Sequence, residues 1–338
     1  MRVLALETSC DETAVAVVEI NTRRILAQQV YSQFAEHAAY RGVIPELASR
    51  AHQARLPALV EACLHGAGLR VADVDAVAAT VGPGLTTALA MGTSFAKTLA
   101  LVADKPFLAV NHIEGHALSP LLAPDGQALA EAFLQRDAPY ILMLLTGGHC
   151  QLVRVEAVGR YTLLGTTQDD AVGECFDKVG KMLDLPHPAG PAVERLAATG
   201  NPHAVALPRP RLEHPLDFSF SGLKTAVRDV IGRGDLSPAD VAASFQHTVA
   251  TLLADKLARA LEANPTRFAV VAGGVAANAC IREALETVCA ARGVAFVAPP
   301  LALCTDNAAM IAYAGGLRHQ YGLDTGDLGI RVVPRWAL

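Results

Sequence analysis

Apolar and polar positions along the chain form an order that occurs twice. Residues 2 to 20, RVLALETSCDETAVAVVEI, contain an apolar run, a short polar turn and an alternating run. This pattern predicts a β-hairpin with acidic side chains at its tip. Residues 140 to 156, YILMLLTGGHCQLVRVE, repeat the order with glycines in the turn. Two hairpins of the same plan predict a chain built from two related halves.

The segments that follow each hairpin favour alternating strands and helices. Residues 74 to 110 and residues 267 to 299 each have the order strand, glycine turn, helix and strand. Helical spacing marks residues 43 to 68, which end at a glycine, and residues 166 to 185, whose acidic stripe suits a solvated helix face. Residues 200 to 220 are rich in proline and charge and predict a loop. The pattern as a whole predicts an α/β fold.

Composition narrows the class of protein. A chain of 338 residues most naturally forms two domains. It has no run of eighteen apolar residues. The acids Glu7, Asp11 and Glu12 lie where a signal peptide would need its apolar core and cleavage site, so a signal peptide is not expected. Its seven scattered cysteines lack C-x-x-C spacing and favour reduced thiols. These features predict a cytoplasmic protein that does not enter a membrane.

The net charge of -5 and the pI near 6.1 bear on nucleic-acid binding. A domain that binds RNA by itself usually carries a surplus of lysine and arginine. Any contact with RNA should therefore come from a local basic patch or from a partner protein.

The stretch NHIEGHALSP places His112 and His116 one helical turn apart, so both imidazoles can share a divalent metal. A zinc protease needs its glutamate directly after the first histidine or directly before the second, and Glu114 is in neither position. Two helix histidines without any ligand are the ordinary alternative. Asp306 precedes a helical run, where it is either an N-cap or a third metal ligand.

Three turns contain residues suited to phosphate binding. The first hairpin tip offers Asp11 and Glu12, and the second offers Gly147 and Gly148, whose backbone N–H groups a ligand can approach closely. A third glycine turn occurs in AGGVAAN. Each is also explained as an ordinary turn, but together they have the layout of actin-like nucleotide-binding folds. Lys224 lacks P-loop spacing and is a weaker candidate for a phosphate contact.

A series of motifs occurs in a fixed order from residue 1 to about residue 320. They are ETSCDET, YRGVIPELASR, GPGLTTAL, HIEGHALSP, TGGH, DDAVGECFDKVGKML, DFSFSGLKT, AGGVAAN and CTDN. Together they closely resemble the tRNA N6-adenosine threonylcarbamoyltransferase (TsaD) family, which once carried the label of a glycoprotein endopeptidase. The resemblance implies an actin-like (ASKHA) fold with lobes 1–135 and 136–338, a nucleotide cleft between them and a helical insertion within about 170–265.

The resemblance also implies an activity. It is the transfer of a threonylcarbamoyl group from threonylcarbamoyl-AMP to the N6 amine of adenosine at tRNA position 37, in tRNAs that read ANN codons, with release of AMP. Relatives work with a paralogous actin-like subunit of the TsaB type and a small ATPase of the TsaE type. The alternatives are a metalloprotease that uses the histidine pair and an actin-like scaffold without catalysis.

The family's functional residues carry over to matching positions. His112 and His116 from one lobe and Asp306 from the other would hold one Fe²⁺ or Zn²⁺ ion, and Asp11 and Glu12 would lie near the reacting end. The positions that match the adenylate-binding residues, where ATP or ADP can also bind, are Leu144, Leu145, Thr146, Gly147, Gly148, Asp177, Gly190, Glu194 and Asn278.

This sequence departs from the family pattern at three places, and none removes a proposed ligand. Ala189 replaces the usual second glycine of the PAGP loop, GLTTAL stands where GLVGAL is common, and Asn111 stands where relatives often have another histidine.

Overall fold

The computed structural model describes residues 1–37, 40, 42–136, 138–323 and 326–338, so Arg41 of the YRGVIPELASR motif lies outside the described residues. The strands in chain order are β1 (Arg2–Glu7), β2 (Glu12–Glu19), β3 (Arg24–Ser32), β4 (Ala76–Gly82), β5 (Phe107–Asn111), β6 (Tyr140–Leu145), β7 (Cys150–Ala157), β8 (Arg160–Thr166), β9 (Phe268–Ala272) and β10 (Ala295–Val297).

The α-helices in chain order are α1 (Phe34–His37), α2 (Pro45–Ala67), α3 (Thr86–Val102), α4 (His112–Leu118), α5 (Gln127–Arg136), α6 (Val172–Met182), α7 (Gly190–Ala197), α8 (Ser221–Arg233), α9 (Pro238–Ala263), α10 (Ala279–Ala290), α11 (Leu301–Cys304) and α12 (Ala308–Gln320). Short 3-10 turns cover Val71–Asp73, Ser119–Leu122, Pro124–Gly126 and Gly274–Ala277. Within the described ranges, no helix combines the length and the apolar character that crossing a membrane requires.

The chain divides into two compact units. Unit 1 comprises Met1–Ala130 and Asp306–Leu338, and unit 2 comprises Glu131–Thr305. The sequence-based boundary near residue 135 is close to the first of these divisions. The assignment of all later residues to the second lobe differs from the structure, because the chain returns to unit 1 at Asp306.

The return of the chain to unit 1 has a physical cause in α12. The helix is buried along Ala308–Leu317 and packs on the unit 1 sheet. A Cβ atom at Gly315 would lie 2.9 Å from Cγ2 of Val110, and one at Gly316 would lie 3.3 Å from Cγ2 of Val3. The two glycines therefore allow the helix to approach the strands closely, and the apolar helix has its burial site in unit 1.

The unit 1 sheet has the strand order β3-β2-β1-β4-β5. The pairs β1–β2 and β2–β3 are antiparallel, whereas β1–β4 and β4–β5 are parallel. The face opposite α12 packs Leu4 and Leu6 against Leu56 of α2 and Ala96 of α3. Alternate residues of β1 thus serve the two faces, as the period of a strand requires.

Unit 2 repeats this topology in the order β10-β9-β6-β7-β8. The pairs β6–β7 and β7–β8 are antiparallel, and β6–β9 and β9–β10 are parallel. Its core joins Met143 of β6, Phe176 of α6, Phe245 of α9 and Leu285 of α10. Helices α6 to α9 separate β8 from β9 in the chain. The prediction of two related α/β halves is confirmed.

Several local predictions are also confirmed. Both hairpins form, and α2 ends at Gly68, whose positive φ of 67° suits the left-handed cap. Residues 201–220 have no helix or strand, apart from one isolated bridge at Phe218. One detail was wrong: the spacing in residues 166 to 185 places Asp170 on the acidic stripe with Glu174 and Asp177, but α6 begins at Val172 and Asp170 precedes it.

Candidate functional site

His112, His116 and Asp306 lie together in unit 1. Their potential ligand atoms all lie within 4.8 Å of one another. Oδ1 of Asp306 is 3.1 Å from Nε2 of His116 and 3.5 Å from Nε2 of His112. The two imidazole rings are edge to face with centroids 4.7 Å apart. One carboxylate oxygen thus meets the outer nitrogens of both histidines, which is the donor set of a divalent metal site.

Two asparagines hold these ligands in place. The Asn111 side chain caps α4 by accepting hydrogen bonds from the backbone N–H groups of Ile113 and Glu114 at 2.8 and 3.3 Å. Asn307 caps α12 by accepting from the N–H of Met310 at 2.9 Å. The N-cap role considered for Asp306 is therefore filled by its neighbour. The expectation that Asp306 comes from the second lobe was also wrong, since it belongs to unit 1.

Glu7 is a site residue that the sequence reasoning missed. Its side chain is fully buried, and Oε2 lies 3.1 Å from Nδ1 of His112. It also accepts hydrogen bonds from the hydroxyl of Thr80 and the backbone N–H of Ser9, both at 2.5 Å. When a metal-binding histidine donates its Nδ1–H to a carboxylate, the hydrogen bond fixes the tautomer and the orientation of the ring. The available signal was an acid at the end of the apolar strand RVLALE.

The pKa values in this cluster depend on interactions among its four side chains, those of Glu7, His112, His116 and Asp306. Burial alone would lower the pKa of His112, but the Asp306 and Glu7 carboxylates raise it well above its usual value. Burial lowers the pKa of His116. Although burial opposes it, His112 and then His116 hold the pKa of Asp306 well below its ordinary range. The buried cluster therefore favours positive charge between its carboxylates, which a proton or a divalent cation can supply.

The hydrogen bonding of His116 is a second observation that fits a metal at this cluster. Nδ1 of His116 is buried and has no hydrogen-bond partner within the part of the chain that the structure describes. Its tautomer is thus fixed by no protein group on that side, whereas Glu7 fixes that of His112. A cation at Nε2 of His116 would select the tautomer that carries the proton on Nδ1.

Glu114 lies away from this cluster. Its carboxylate is 3% exposed and meets Nη1 of Arg318 on α12 at 3.1 and 3.2 Å. The helix places it on a different side from His112 and His116, as the two-residue offset predicts. Glu114 is therefore a structural ion-pair partner and not the general base that a zinc protease needs.

Asp11 and Glu12 lie on the β1–β2 turn of the same unit. Burial, followed by repulsion from Asp306 and Asp11, raises the pKa of Glu12 to about 10. The turn is supported from α2 by His52, whose Nε2 lies 2.9 Å from the carbonyl oxygen of Cys10. The fold thus brings Glu12 close enough to the metal cluster for its carboxyl group to interact with the charge of Asp306.

The β6–β7 turn occupies the corresponding place in unit 2. The hydroxyl of Thr146 accepts hydrogen bonds from the backbone N–H groups of Gly148 and His149 at 3.2 and 2.8 Å. Gly147 and Gly148 are exposed, neither has a positive φ, and an added Cβ would meet nothing within 4 Å at either one. The fold itself does not demand glycine there, and the absence of side chains leaves the backbone of the turn open to close approach.

The other proposed adenylate-binding residues are joined in pairs within unit 2. Oδ1 of Asp177 accepts a 2.6 Å hydrogen bond from the N–H of Ala189, directly before Gly190. Oε1 of Glu194 accepts one from Ala279 at 2.7 Å, and the Asn278 side chain caps α10. These contacts link α6 to the start of α7 and link α7 to the start of α10. They orient the two carboxylates before any ligand binds.

Ala189 is the departure from the usual glycine of the PAGP loop, and the structure shows how it is accommodated. Its side chain is buried, and a Cβ on Gly180 would lie only 2.2 Å from it. The glycine of α6 thus provides the space that the extra methyl group needs.

Lys224 has a carboxylate partner. Its Nζ lies 2.8 Å from Oδ2 of Asp170, whose Oδ1 meets Lys178 at 2.7 Å. The charge of Lys224 is therefore used within unit 2, and its contact with a phosphate stays a prediction.

The repeated strand order, with a hairpin in each sheet, defines the actin-like class of folds. Solved structures of other proteins share it. T. kodakarensis HypF has a TM-score of 0.65 at 15% identity, with 97% of this chain and 49% of that chain covered. The ROK hexokinase from Thermus thermophilus has a TM-score of 0.53 at 15% identity, with 95% and 100% covered. At these identities the likeness concerns the fold alone.

Sequence comparison defines the family within that class. Residues 24–313 match TsaD, tRNA N6-adenosine threonylcarbamoyltransferase. The enzyme of that name from Granulibacter bethesdensis is 53% identical over an alignment of 347 residues. The alignment covers 99% of this chain and 93% of the relative. The chain belongs to the tRNA N6-adenosine threonylcarbamoyltransferase family, and it is a transferase.

Proposed function

We propose that this chain transfers the threonylcarbamoyl group of threonylcarbamoyl-AMP to the N6 amine of adenosine at tRNA position 37, in tRNAs that read ANN codons, with release of AMP. The observation that carries the proposal is the cluster of His112, His116 and Asp306 beside the β1–β2 turn, in a chain that belongs to this family. The same residues favour the transferase over a scaffold, which would have no need of such a cluster.

His112, His116 and Asp306 would hold the metal, and Fe²⁺ and Zn²⁺ both suit two imidazoles and a carboxylate. Such an ion acts as a Lewis acid that stabilises negative charge on a carbonyl or phosphate oxygen. Glu7 would keep Nε2 of His112 directed at the metal through its bond to Nδ1. Asp11 and Glu12 are proposed as the catalytic acids near the reacting group.

The adenylate would be bound by residues of unit 2. The turn that contains Gly147 and Gly148 would let phosphate oxygens approach its backbone closely, because neither residue has a side chain and the space beside both is open. Asp177 and Glu194 would accept hydrogen bonds from the ribose hydroxyls, because backbone N–H groups already hold both carboxylates in fixed orientations. The wider set is Leu144, Leu145, Thr146, Gly190 and Asn278, and ATP or ADP would occupy the same residues.

Partner proteins and a cytoplasmic location are part of the proposal. With a net charge of -5, the chain offers little general attraction to a polyanion. We therefore expect weak multiple-turnover activity from the isolated chain and full activity with an actin-like paralogue of the TsaB type and an ATPase of the TsaE type.

The test uses the purified chain with and without these partners, synthetic threonylcarbamoyl-AMP and unmodified tRNA. Modified adenosine should form and AMP should be released in equal amounts. The His112→Ala/His116→Ala/Asp306→Ala variant should contain no metal by elemental analysis, and one full equivalent in that variant would contradict the assignment. A peptidase assay tests the metalloprotease alternative, with His112→Ala as the control. Peptidase activity that is lost in His112→Ala would support that alternative, and no such activity would count against it.

A further inference from the structure

A groove with basic walls lies in unit 2 between α9 and the irregular segment 202–215. It consists of two adjoining cavities of about 570 and 300 Å³, and Arg209 lines both. We call it the α9 groove. The α9 residues that line it are His247, Thr248, Thr251, Leu252, Asp255, Lys256 and Arg259. They recur every three to four positions, so they form a single face of the helix.

The residues that line the larger cavity carry a net positive charge, although the chain as a whole has a net charge of -5. Four cations, Arg209, Arg211, Lys256 and Arg259, line it together with one acid, Asp255. Asp255 already pairs with Arg259 at 3.0 Å. Arg209 and Arg211 are exposed, and no ion pair among the described residues includes either of them. Two guanidinium groups are thus left to attract an anion.

The groove is held in shape by a buried contact. Nζ of Lys256, which is 7% exposed, donates a 2.7 Å hydrogen bond to the carbonyl oxygen of Pro215. This bond fixes the end of the segment to α9, and Pro210 lies between the two arginines. The arginines are consequently presented on a restrained backbone beside the helix, which lowers the entropic cost of binding.

The dimensions and lining favour a nucleic-acid backbone. His247 and Arg259 are twelve residues apart, which corresponds to roughly 18 Å along the helix. The lining contains no phenylalanine, tyrosine or tryptophan on which a base could stack, but it has arginines. Arginine forks match phosphate oxygens in bidentate geometry. These features suit contact with the sugar-phosphate backbone and give little discrimination between bases.

We propose that the α9 groove binds the phosphodiester backbone of the tRNA substrate, with Arg209 and Arg211 as the principal phosphate contacts. The inference rests on the proposed function for the identity of the RNA. It supplies the local basic patch that an acidic chain needs if it is to hold tRNA.

The experiment measures tRNA affinity of the full chain across a range of salt concentrations. Arg209→Ala/Arg211→Ala is compared with Arg24→Ala/Arg160→Ala, which removes the same charge from two exposed arginines at the starts of β3 and β8. We expect the groove variant to bind tRNA about tenfold more weakly, with a salt slope lower by roughly two, because about 0.9 is lost for each phosphate contact. The control pair should bind like wild type.

Two further arms separate the possible causes. Arg209→Lys/Arg211→Lys keeps the charge but loses the fork, so its affinity and salt slope should lie between those of the alanine pair and wild type, which excludes misfolding as the explanation. Transfer assays with the alanine pair should show a KM for tRNA raised about tenfold, in line with the loss of affinity, whereas the KM for threonylcarbamoyl-AMP should not follow it. Loss of tRNA affinity in a chain that transfers nothing would leave the groove assignment standing and defeat the proposed function.

The groove assignment is overturned if the alanine pair binds tRNA with the wild-type affinity and salt slope. It is equally overturned if that pair keeps its affinity for tRNA but no longer binds a partner subunit, because the groove would then recognise an acidic protein surface. Absence of any tRNA binding by the wild-type chain at low salt has the same consequence.

Discussion

The β1–β2 turn of unit 1 and the β6–β7 turn of unit 2 occupy equivalent places in two sheets of the same topology, yet they differ in chemistry. The first is closed by other side chains and carries Glu7, Asp11 and Glu12 in or beside it. An added Cβ on Gly84 would lie 2.6 Å from the carbonyl oxygen of Ser9. The second turn is open, and an added Cβ at Gly147 or Gly148 would meet nothing.

This difference shows how one scaffold supports two kinds of binding. A buried carboxylate such as Glu7 is costly unless it is paired, and the structure pairs it with His112, Thr80 and Ser9. Such a turn is suited to holding a cation in fixed geometry. An open glycine turn carries no comparable cost and leaves space for an anion beside its backbone. In the proposed function, the cation would be held in unit 1 and the anion would be contacted in unit 2.

The largest effect should come from removing a metal ligand in unit 1. We expect His116→Ala to lower kcat for threonylcarbamoyl transfer by about 10²–10³-fold, because charge stabilisation in the transition state would be lost. The KM for threonylcarbamoyl-AMP should change much less. Steady-state kinetics with the partners present measure both constants, and a variant that mainly raises KM would place the chemistry elsewhere.

Much of this comparison was visible in the sequence. Both hairpins, the helix with His112 and His116, and the exclusion of Glu114 as a base followed from spacing alone, since side-chain direction on a helix repeats with a fixed period. The family resemblance added the activity and the adenylate-binding residues. Local patterns of this kind are decided within a few residues of chain.

The parts that the sequence did not predict depend on long-range contacts. Glu7 and His112 are 105 residues apart, and nothing local to either signals their contact. The return of α12 to unit 1 depends on where Gly315 and Gly316 find a surface that fits them. Asp306 and Asn307 are both suitable N-cap residues for α12. The geometry of the loop makes Asn307 the cap and places Asp306 against the histidines.

The second prediction concerns the carboxylate that orients a ligand. Glu7→Gln should lower metal affinity by about 10–100-fold, because the amide no longer holds His112 as the carboxylate does. Glu114→Gln is the matched control, since Glu114 is also a buried acid but pairs with Arg318. Titration with a metal chelator compares the variants. Equal metal loss in both would show that Glu7 acts through general stability and not through His112.

The third prediction concerns unit 2, where losses should appear in binding. We expect Asp177→Ala to raise the KM for threonylcarbamoyl-AMP by about tenfold or more and to change kcat less, since a charged hydrogen bond is worth about 1.5–3 kcal/mol. Asp177→Asn keeps an acceptor for the N–H of Ala189 and separates loop support from ligand binding. A fall in kcat with an unchanged KM would mean that the binding and chemical roles of the two units have been exchanged.

The smallest effect on stability should come from the open turn, and it tests the comparison directly. Gly148→Ala places a methyl group where the protein has no neighbour and where φ is not positive, so the free energy of unfolding should change by less than about 1 kcal/mol. Gly84→Ala, in contact with the closed turn and at a φ of 155°, should destabilise unit 1 by about 1–3 kcal/mol. The same Gly148 methyl group should still raise the KM for threonylcarbamoyl-AMP severalfold, because it occupies the space through which a phosphate approaches the backbone. Chemical denaturation and steady-state kinetics measure the two quantities on one preparation. A Gly148→Ala enzyme with unaltered stability and unaltered KM would show that the turn does not contact the ligand, since the protein itself gives no other reason for glycine at that position.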